Sequence, residues 1–285
     1  MSKHERWSAL LELLAAEGRL EVEEAATTLE VSAATIRRDL DELAEQQMLV
    51  RTRGGAIAHG VSYELPLRYK SSRHASEKQR IAAAAADLVA DGDVVGLNGG
   101  TTTTEVARAL ALRASAGGGA GAGGGAGGGA GGGAGGGGAG AGPGAGPVLT
   151  VVTNALNIAG ELAVRPQIKL VVTGGVARPQ TYELVGPLTM GVLNEVVLDV
   201  VILGVDGVDP ELGVMAHQED EASVSRLLAE RSHRVIVVTD SSKMGKRAFA
   251  RICGLDRIDV VVTDSAIPAE AAGRLTDAGI KVITV

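Results

Sequence analysis

The sequence predicts two units of different class: a small helical unit with a β-wing at the N-terminus, and behind it a larger α/β domain on a largely parallel sheet. Three observations carry this. Apolar residues between Trp7 and Leu43 recur at helical spacing in three consecutive segments. Beyond Glu77 the chain changes to short, nearly continuous β-branched runs alternating with helical patterns, which suits strands buried on both faces. Clusters rich in Gly, Thr, Asn and Asp close those runs, at the strand ends where open parallel sheets place their ligands.

In the first unit, Trp7, Leu10, Leu11 and Leu14 form one apolar stripe and Val22, Ala25, Ala26 and Leu29 a second. Ser32 carries the short hydroxyl that suits the N-cap of a third helix. At about 100° per residue, Ile36, Leu40 and Leu43 share one face of that helix; Arg38 points nearly opposite, with Thr35 and Arg37 on the flanks. Helix, tight turn, helix leaves one side to pack and the other to enter a groove. Leu49 to Arg53 is a short extended run closed by Gly54-Gly55, where glycine is expected to supply the backbone angles of a tight hairpin. The planar guanidinium pairs bidentately with a guanine edge or a phosphate. Arg38 is therefore the candidate for base readout, Arg37, Arg51 and Arg53 for phosphate contacts, and Ser32 and Thr35 for either. VSAATIRRDLDEL followed by RTRGGA resembles the winged helix-turn-helix of the DeoR family of bacterial sugar-metabolism regulators.

Composition bounds the rest. A chain of 285 residues, 45% hydrophobic, has room for one small and one medium core. MSKHERW leads into a charged amphipathic helix without an apolar h-region, so no signal peptide and a cytoplasmic location are expected. The lone Cys253 excludes an internal disulfide and a cysteine-rich zinc site; it reads as a buried small hydrophobe, and no metal or cofactor is expected. The formal charge is −7, and residues 1–56 carry seven Lys and Arg against eleven Asp and Glu, so bulk charge does not argue for a polyanion partner. Placement does, because Arg37, Arg38, Arg51 and Arg53 cluster on the third helix and the wing. Scarce aromatics argue against recognition of single strands by base stacking.

Residues 117–146 hold 21 of the chain's 41 glycines in a loose GGGA repeat. That period excludes collagen, and glycine's backbone entropy disfavours a membrane helix. The insert, taken as 114–147 between a helix ending near Leu112 and a strand starting near Val148, is expected to be a flexible excursion without direct function. The expected domains are 1–58, a linker at 59–76, and an α/β domain at 77–285.

The strands of the second domain are expected at Asp93–Asn98, Val148–Thr153, Ile168–Thr173, Val200–Val205, Val235–Thr239, Ile258–Thr263 and Lys281–Val285. Asn98-Gly99-Gly100-Thr101-Thr102-Thr103 follows the first of these and opens a helix. Its glycines let a phosphate approach the backbone, and the helix N-terminus and threonine hydroxyls supply donors. Thr153-Asn154 and Gly174-Gly175 end the next two strands, Asp206 stands after the fourth, and Asp240-Ser241-Ser242-Lys243 follows the fifth. Lys243 suits a phosphate and Asp206 sugar hydroxyls.

The order GGTTT, TN, GG, GVDG, DSSK resembles the DeoR-type sensor domain and is similar to the fold of ribose-5-phosphate isomerase. In that enzyme family a glycine-threonine loop binds phosphate, an Asp-Gly-Ala-Asp element surrounds the sugar, a Lys-Gly-Gly-Gly run follows, and a glutamate is the base. Asp206 matches the last aspartate of the second element, whereas Leu203 replaces the first, and Gly213 to Gln218 lacks the lysine-glycine run. Glu221 stands near the position of the base, and equally suits the first turn of a helix on macrodipole grounds. The resemblance therefore implies retained binding and lost chemistry: a repressor of carbohydrate genes rather than an enzyme, binding double-stranded operator DNA as at least a dimer and released by a phosphorylated sugar, with the likeness of GGTTTTEVARAL pointing to a phosphorylated amino sugar. The alternative is a sugar-phosphate isomerase with an appended DNA-binding domain.

Overall fold

The computed structural model describes residues 1–46, 48–57, 67, 74–117 and 148–285. Most of the expected linker, and the glycine tract from 118 onward, lie outside the described residues.

The N-terminal unit runs α1 (Lys3–Glu17), β1 (Arg19–Glu21), α2 (Val22–Thr28), α3 (Ala33–Glu45), β2 (Val50–Arg51) and β3 (Gly55–Ile57). The stripes expected from periodicity meet in one core: Leu10, Leu11, Leu14, Ile36, Leu40 and Leu43 are all fully buried. The wing has a third strand that the sequence reading did not anticipate, since β1 pairs antiparallel with β3 on the side opposite β2. This also corrects the reason for glycine in the wing. Neither Gly54 nor Gly55 adopts a positive φ; instead a Cβ on Gly55 would stand 1.7 Å from the Leu20 carbonyl oxygen. Close approach of β1, and not turn geometry, demands glycine there.

One buried carboxylate clamps this unit. Asp39, on the packed side of α3, accepts from Arg6 Nε and Nη2 (the latter at 3.1 Å) and from Trp7 Nε1 at 2.9 Å, tying the start of α1 to the middle of α3.

The second unit begins with α4 (Ala75–Ala86), β4 (Val94–Leu97) and α5 (Thr101–Gly117), continues with β5 (Leu149–Thr153), α6 (Leu156–Leu162), β6 (Ile168–Val172), β7 (Val176–Ala177), β8 (Leu184–Val185), α7 (Pro187–Asn194), β9 (Leu198–Gly204), β10 (Gly207–Asp209), β11 (Gly213–Ala216), α8 (Glu219–Glu230) and β12 (Ser232–Val238), and closes with β13 (Ala250–Cys253), β14 (Val260–Thr263), α9 (Ala269–Asp277) and β15 (Lys281–Thr284). All seven anticipated strands are found, and they form one wholly parallel sheet in the order β15-β14-β12-β9-β4-β5-β6. Burial explains why they read as continuous apolar runs: Val200 and Ile202 of β9 join the core under α4, α5 and α6, while Val201 and Leu203 join the core under α7, α8 and α9.

Two departures concern what lies beside that sheet. Helix α5 continues to Gly117, past the expected end near Leu112, because Ala114 is buried and Arg113 Nη1 donates to the Ala86 carbonyl at the end of α4; residues 114–117 therefore belong to the helix and not to the insert. The stretch Gly213–Ala216, to which the sequence analysis gave no secondary structure, is strand β11, buried throughout in a small antiparallel sheet ordered β10-β11-β13.

Removing the Asp39 carboxylate leaves the Arg6 guanidinium mostly buried and unpaired, so Asp39→Ala is expected to lower the stability of the N-terminal unit by about 3 kcal/mol. Urea unfolding followed through the emission of Trp7, the only tryptophan, measures it; a loss well under about 1 kcal/mol would show the clamp to be a surface ion pair in effect.

Candidate functional site

The outward face of α3 is built as a cap followed by two arginines. Ser32 Oγ accepts the Thr35 N–H at 3.2 Å and lies 2.9 Å from Thr35 Oγ1, so two of the expected DNA-contacting residues cap the helix they belong to. Arg37 and Arg38 are exposed on the side away from Ile36, Leu40 and Leu43, and Arg53 is exposed in the wing turn. Arg37 pairs with Glu23 at 2.8 Å between exposed side chains, an interaction worth about 0–1 kcal/mol and readily exchanged for a phosphate. Arg51 is placed differently. Its Nε donates to Asp41 Oδ1 at 2.7 Å and its Nη1 to the Gly55 carbonyl, so it braces the wing against α3 with N–H groups that the expected phosphate contact would also need.

The second site follows from the sheet order. From β4 the chain moves outward through β5 and β6, then returns to β9 on the other side of β4. The direction of winding thus reverses between β4 and β9, and such reversals open a crevice at the carboxyl ends of the strands. Asn98 spans it: its Nδ2 donates to the Gly204 carbonyl at 2.9 Å and to Ser225 Oγ at 3.0 Å, and its Oδ1 accepts the Gly204 N–H at 2.8 Å. Above it lies a cavity of about 140 Å³.

Of the effector contacts expected from sequence, Asn98, Gly99, Gly100, Thr101, Thr102, Asp206, Glu221 and Lys243 line this cavity together. Gly100 has φ +141, and its carbonyl accepts the Thr104 N–H at 3.1 Å to start α5, whose first-turn N–H groups have no partner within the helix. Asp206 lies between Lys243 Nζ at 4.0 Å and His217 Nε2 at 3.9 Å, and accepts the His217 backbone N–H at 3.0 Å. Glu221 is in the first turn of α8 and at the same time buried in the cavity wall, where it accepts from Thr181 Oγ1 at 2.6 Å and pairs with Arg178 Nε at 3.1 Å.

Five expected residues do not line it. Thr103 is fully buried, its hydroxyl donating to the Gly100 carbonyl at 3.2 Å; Thr153 Oγ1 accepts the Ala155 N–H at 3.1 Å. Asn154 is also fully buried and reaches the cavity only through Glu183, whose Oε2 accepts its Nδ2 at 2.8 Å. Gly174 supports Thr189 through its carbonyl, and Gly175 lies where a Cβ would meet Thr189 Oγ1 at 2.2 Å.

The sequence reading missed Lys78, Thr181, Glu183 and Leu67, all buried and all lining the cavity. A signal existed for the first. Lys78 stands one helical turn before Ile81 and Ala82 and two before Ala85 and Ala86, a lysine on the apolar stripe of α4. The three others come from β7–β8 and the interdomain stretch, and only the fold brings them here.

Asp209, in the GVD triplet that directly follows the one ending in Asp206, serves the fold. Arg247 donates through Nε, and the backbone N–H groups of Leu212 and Glu211 donate at 2.8 and 2.9 Å, which together hold the carboxyl down at about 2. Cys253 is buried as expected, and burial pushes its thiol up to about 11, which leaves it unreactive at neutral pH. Among the described residues, no group of three or more His, Cys, Asp or Glu is arranged to hold a metal, and no helix is long and apolar enough to cross a membrane.

Residues 6–60 match the family model described as the DeoR-like helix-turn-helix domain, and residues 73–115 with 145–265 match the DeoR C terminal sensor domain. Among curated relatives, the putative aga operon transcriptional repressor of Escherichia coli O157:H7 is 32% identical over 99% of this chain and 93% of its own length. The glycerol-3-phosphate regulon repressor of Escherichia coli strain K12 is 29% identical over 97% of each. Among solved structures, ribose 5-phosphate isomerase A of Methanocaldococcus jannaschii aligns with a TM-score of 0.39 at 17% identity, covering 60% of this chain and 55% of that one.

Because the Asp209 carboxyl is held down chiefly by Arg247, Arg247→Ala is expected to raise its titration toward the ordinary aspartate value of about 3.9. The sign follows: the depressed carboxyl favours the fold above its unfolded value and loses that contribution as pH falls toward 2. Carbon-detected NMR titration of wild type and variant checks it; an unmoved Asp209 would assign the depression to the backbone N–H groups alone.

Proposed function

Because the chain belongs to the DeoR family of transcriptional regulators, we propose that it represses genes of carbohydrate metabolism from an operator read by α3 and the wing, and is released when a phosphorylated sugar enters the cavity between β4 and β9. The observation that carries this is the cavity itself. A Gly-Gly-Thr-Thr turn at the N-terminus of α5 faces Lys243, Lys78 and Asp206 across a switch-point crevice, which is chemistry for a phosphate beside polyhydroxyl carbon. Four carboxylates, Glu183, Asp206, Glu221 and Asp240, line it against two lysines, and of the four Glu221 is balanced by Arg178, which leaves three carboxylates to two lysines. That excess of negative charge favours a ligand bearing an amine as well as a phosphate, hence a phosphorylated amino sugar.

The site is read as one for binding and not for turnover. Leu203, where the isomerases carry an aspartate, is a fully buried member of the core under α8, and β11 presents no lysine. Glu221, at the place of the general base, is already engaged by Arg178 and Thr181. The protein works in the cytoplasm as at least a dimer, because one recognition helix spans too few base pairs for genomic selectivity. The division at 1–58, 59–76 and 77–285 puts readout and sensing in separate units.

Operator fragments selected from the source genome by the full-length protein supply the test. Arg38→Ala should cost about 1–3 kcal/mol of affinity for a preferred fragment and relax its sequence preference. Lys243→Ala should spare DNA binding while abolishing release by sugar phosphates. Calorimetry against a panel of sugar phosphates, with the unphosphorylated sugars as controls, should show ligand and operator weakening one another by the same factor, typically about 5- to 150-fold. Equal affinity for the unphosphorylated sugars would sink the phosphate site, and measurable isomerisation of any panel member would favour the enzyme reading.

A further inference from the structure

A carboxylate of the protein itself stands against the glycine turn that opens α5. Glu183, at the foot of β8, lies over Gly99 so closely that a Cβ there would stand 2.3 Å from its Cγ and 2.4 Å from its Oε1. Asn154 Nδ2 holds the other carboxylate oxygen at 2.8 Å. Glycine at 99 therefore admits a carboxylate in this state, at the place where the sequence suggested the approach of a phosphate. Two anions do not share one such cradle without a large repulsive cost.

The residues on either side of Glu183 lead elsewhere. The turn from Arg178 to Glu183 is closed by the Tyr182 N–H donating to the Arg178 carbonyl and the Arg178 N–H donating to the Glu183 carbonyl, each at 2.8 Å. Tyr182 has φ +60, a left-handed conformation unfavourable for a non-glycine residue, so these bonds hold the turn against its own preference. Within the turn, Thr181 donates to Glu221 on the far cavity wall at 2.6 Å. The carbonyl of Gln180 accepts the N–H of Leu67 at 2.8 Å. Leu67 lies between the two family-matched segments, on the path from the helix-turn-helix to the sensor domain, and its buried side chain lines the same cavity.

We propose that Glu183 is the built-in occupant of the phosphate cradle, and that a phosphate displacing it moves the 178–183 turn and so frees Leu67. Cradle, cavity wall and interdomain stretch are then read by three residues of one strained turn, which makes the turn the transmission element between sugar phosphate and DNA-binding unit. The proposal rests on the reading of the cavity as a phosphate site.

The test uses the full-length protein and inorganic phosphate. Glu183→Gln keeps the shape and an acceptor for Asn154 but removes the charge, and should bind phosphate at least about 5-fold more tightly than wild type by calorimetry. Hydrogen exchange should show phosphate accelerating exchange in wild-type peptides spanning Leu67 and Gln180 to Glu183. Equal or weaker phosphate binding by Glu183→Gln would make Glu183 a ligand contact and overturn the proposal. So would exchange at Leu67 that saturating phosphate leaves unchanged. In both of those cases wild type still binds phosphate and the cavity reading survives; if neither protein binds phosphate, both readings fall together.

Discussion

Asn98 joins the carboxyl ends of β4 and β9, the two strands between which the sheet reverses its winding, and the geometry of the whole sensor domain converges on that joint. A crevice at a switch point has no ladder hydrogen bonds to close it beyond the strand ends. The carboxamide supplies them, donating to and accepting from the same residue, Gly204, while its second N–H anchors Ser225 of α8. Both side-chain polar atoms of Asn98 are engaged within the protein, and the residue fixes the spacing between the Gly99–Thr102 turn and Asp206, which line the cavity with it.

Periodicity made most of this fold legible. Alternate residues of β9 and β12 enter opposite cores, so an uninterrupted β-branched run was the correct sign of a strand covered on both faces. The 3.6-residue stripes of α1 to α3 were equally plain because each helix has a single buried side. What stayed hidden depends on partners distant in sequence. In the β10-β11-β13 sheet, β11 pairs with residues 34 to 39 positions further along the chain, and β1 completes the wing from the far side of α3. Gly55 was placed correctly for the wrong cause, since no local rule reveals that the Leu20 carbonyl will stand where its side chain would be.

The cavity divides along the same line. Residues that follow strands directly, such as Gly99, Thr101, Asp206 and Lys243, were recoverable because the carboxyl ends of parallel strands are a place defined by topology. Thr153, Asn154, Gly174 and Gly175 obeyed the same rule and still fell short. They follow β5 and β6, on the far side of β4 from the β9 crevice, and only Asn154 communicates with it, through Glu183. Leu67 and Glu183 arrive from segments with no sequence signature of a site, whereas Lys78 announced itself as a charge on an apolar stripe.

Helix α3 has two faces with separate tasks. Ile36, Asp39, Leu40 and Leu43 are committed to the interior, and Arg37 and Arg38 are exposed on the side away from it, where, among the described residues, Arg37 makes an exposed ion pair with Glu23. Substituting the outward pair leaves the folding equilibrium of the unit nearly untouched, so under the proposed reading of α3 a change of base preference at Arg38 carries no cost in the core. On that reading, a gene duplicate carrying a new residue at Arg38 inherits its sensor, wing and core intact while its outward face is altered.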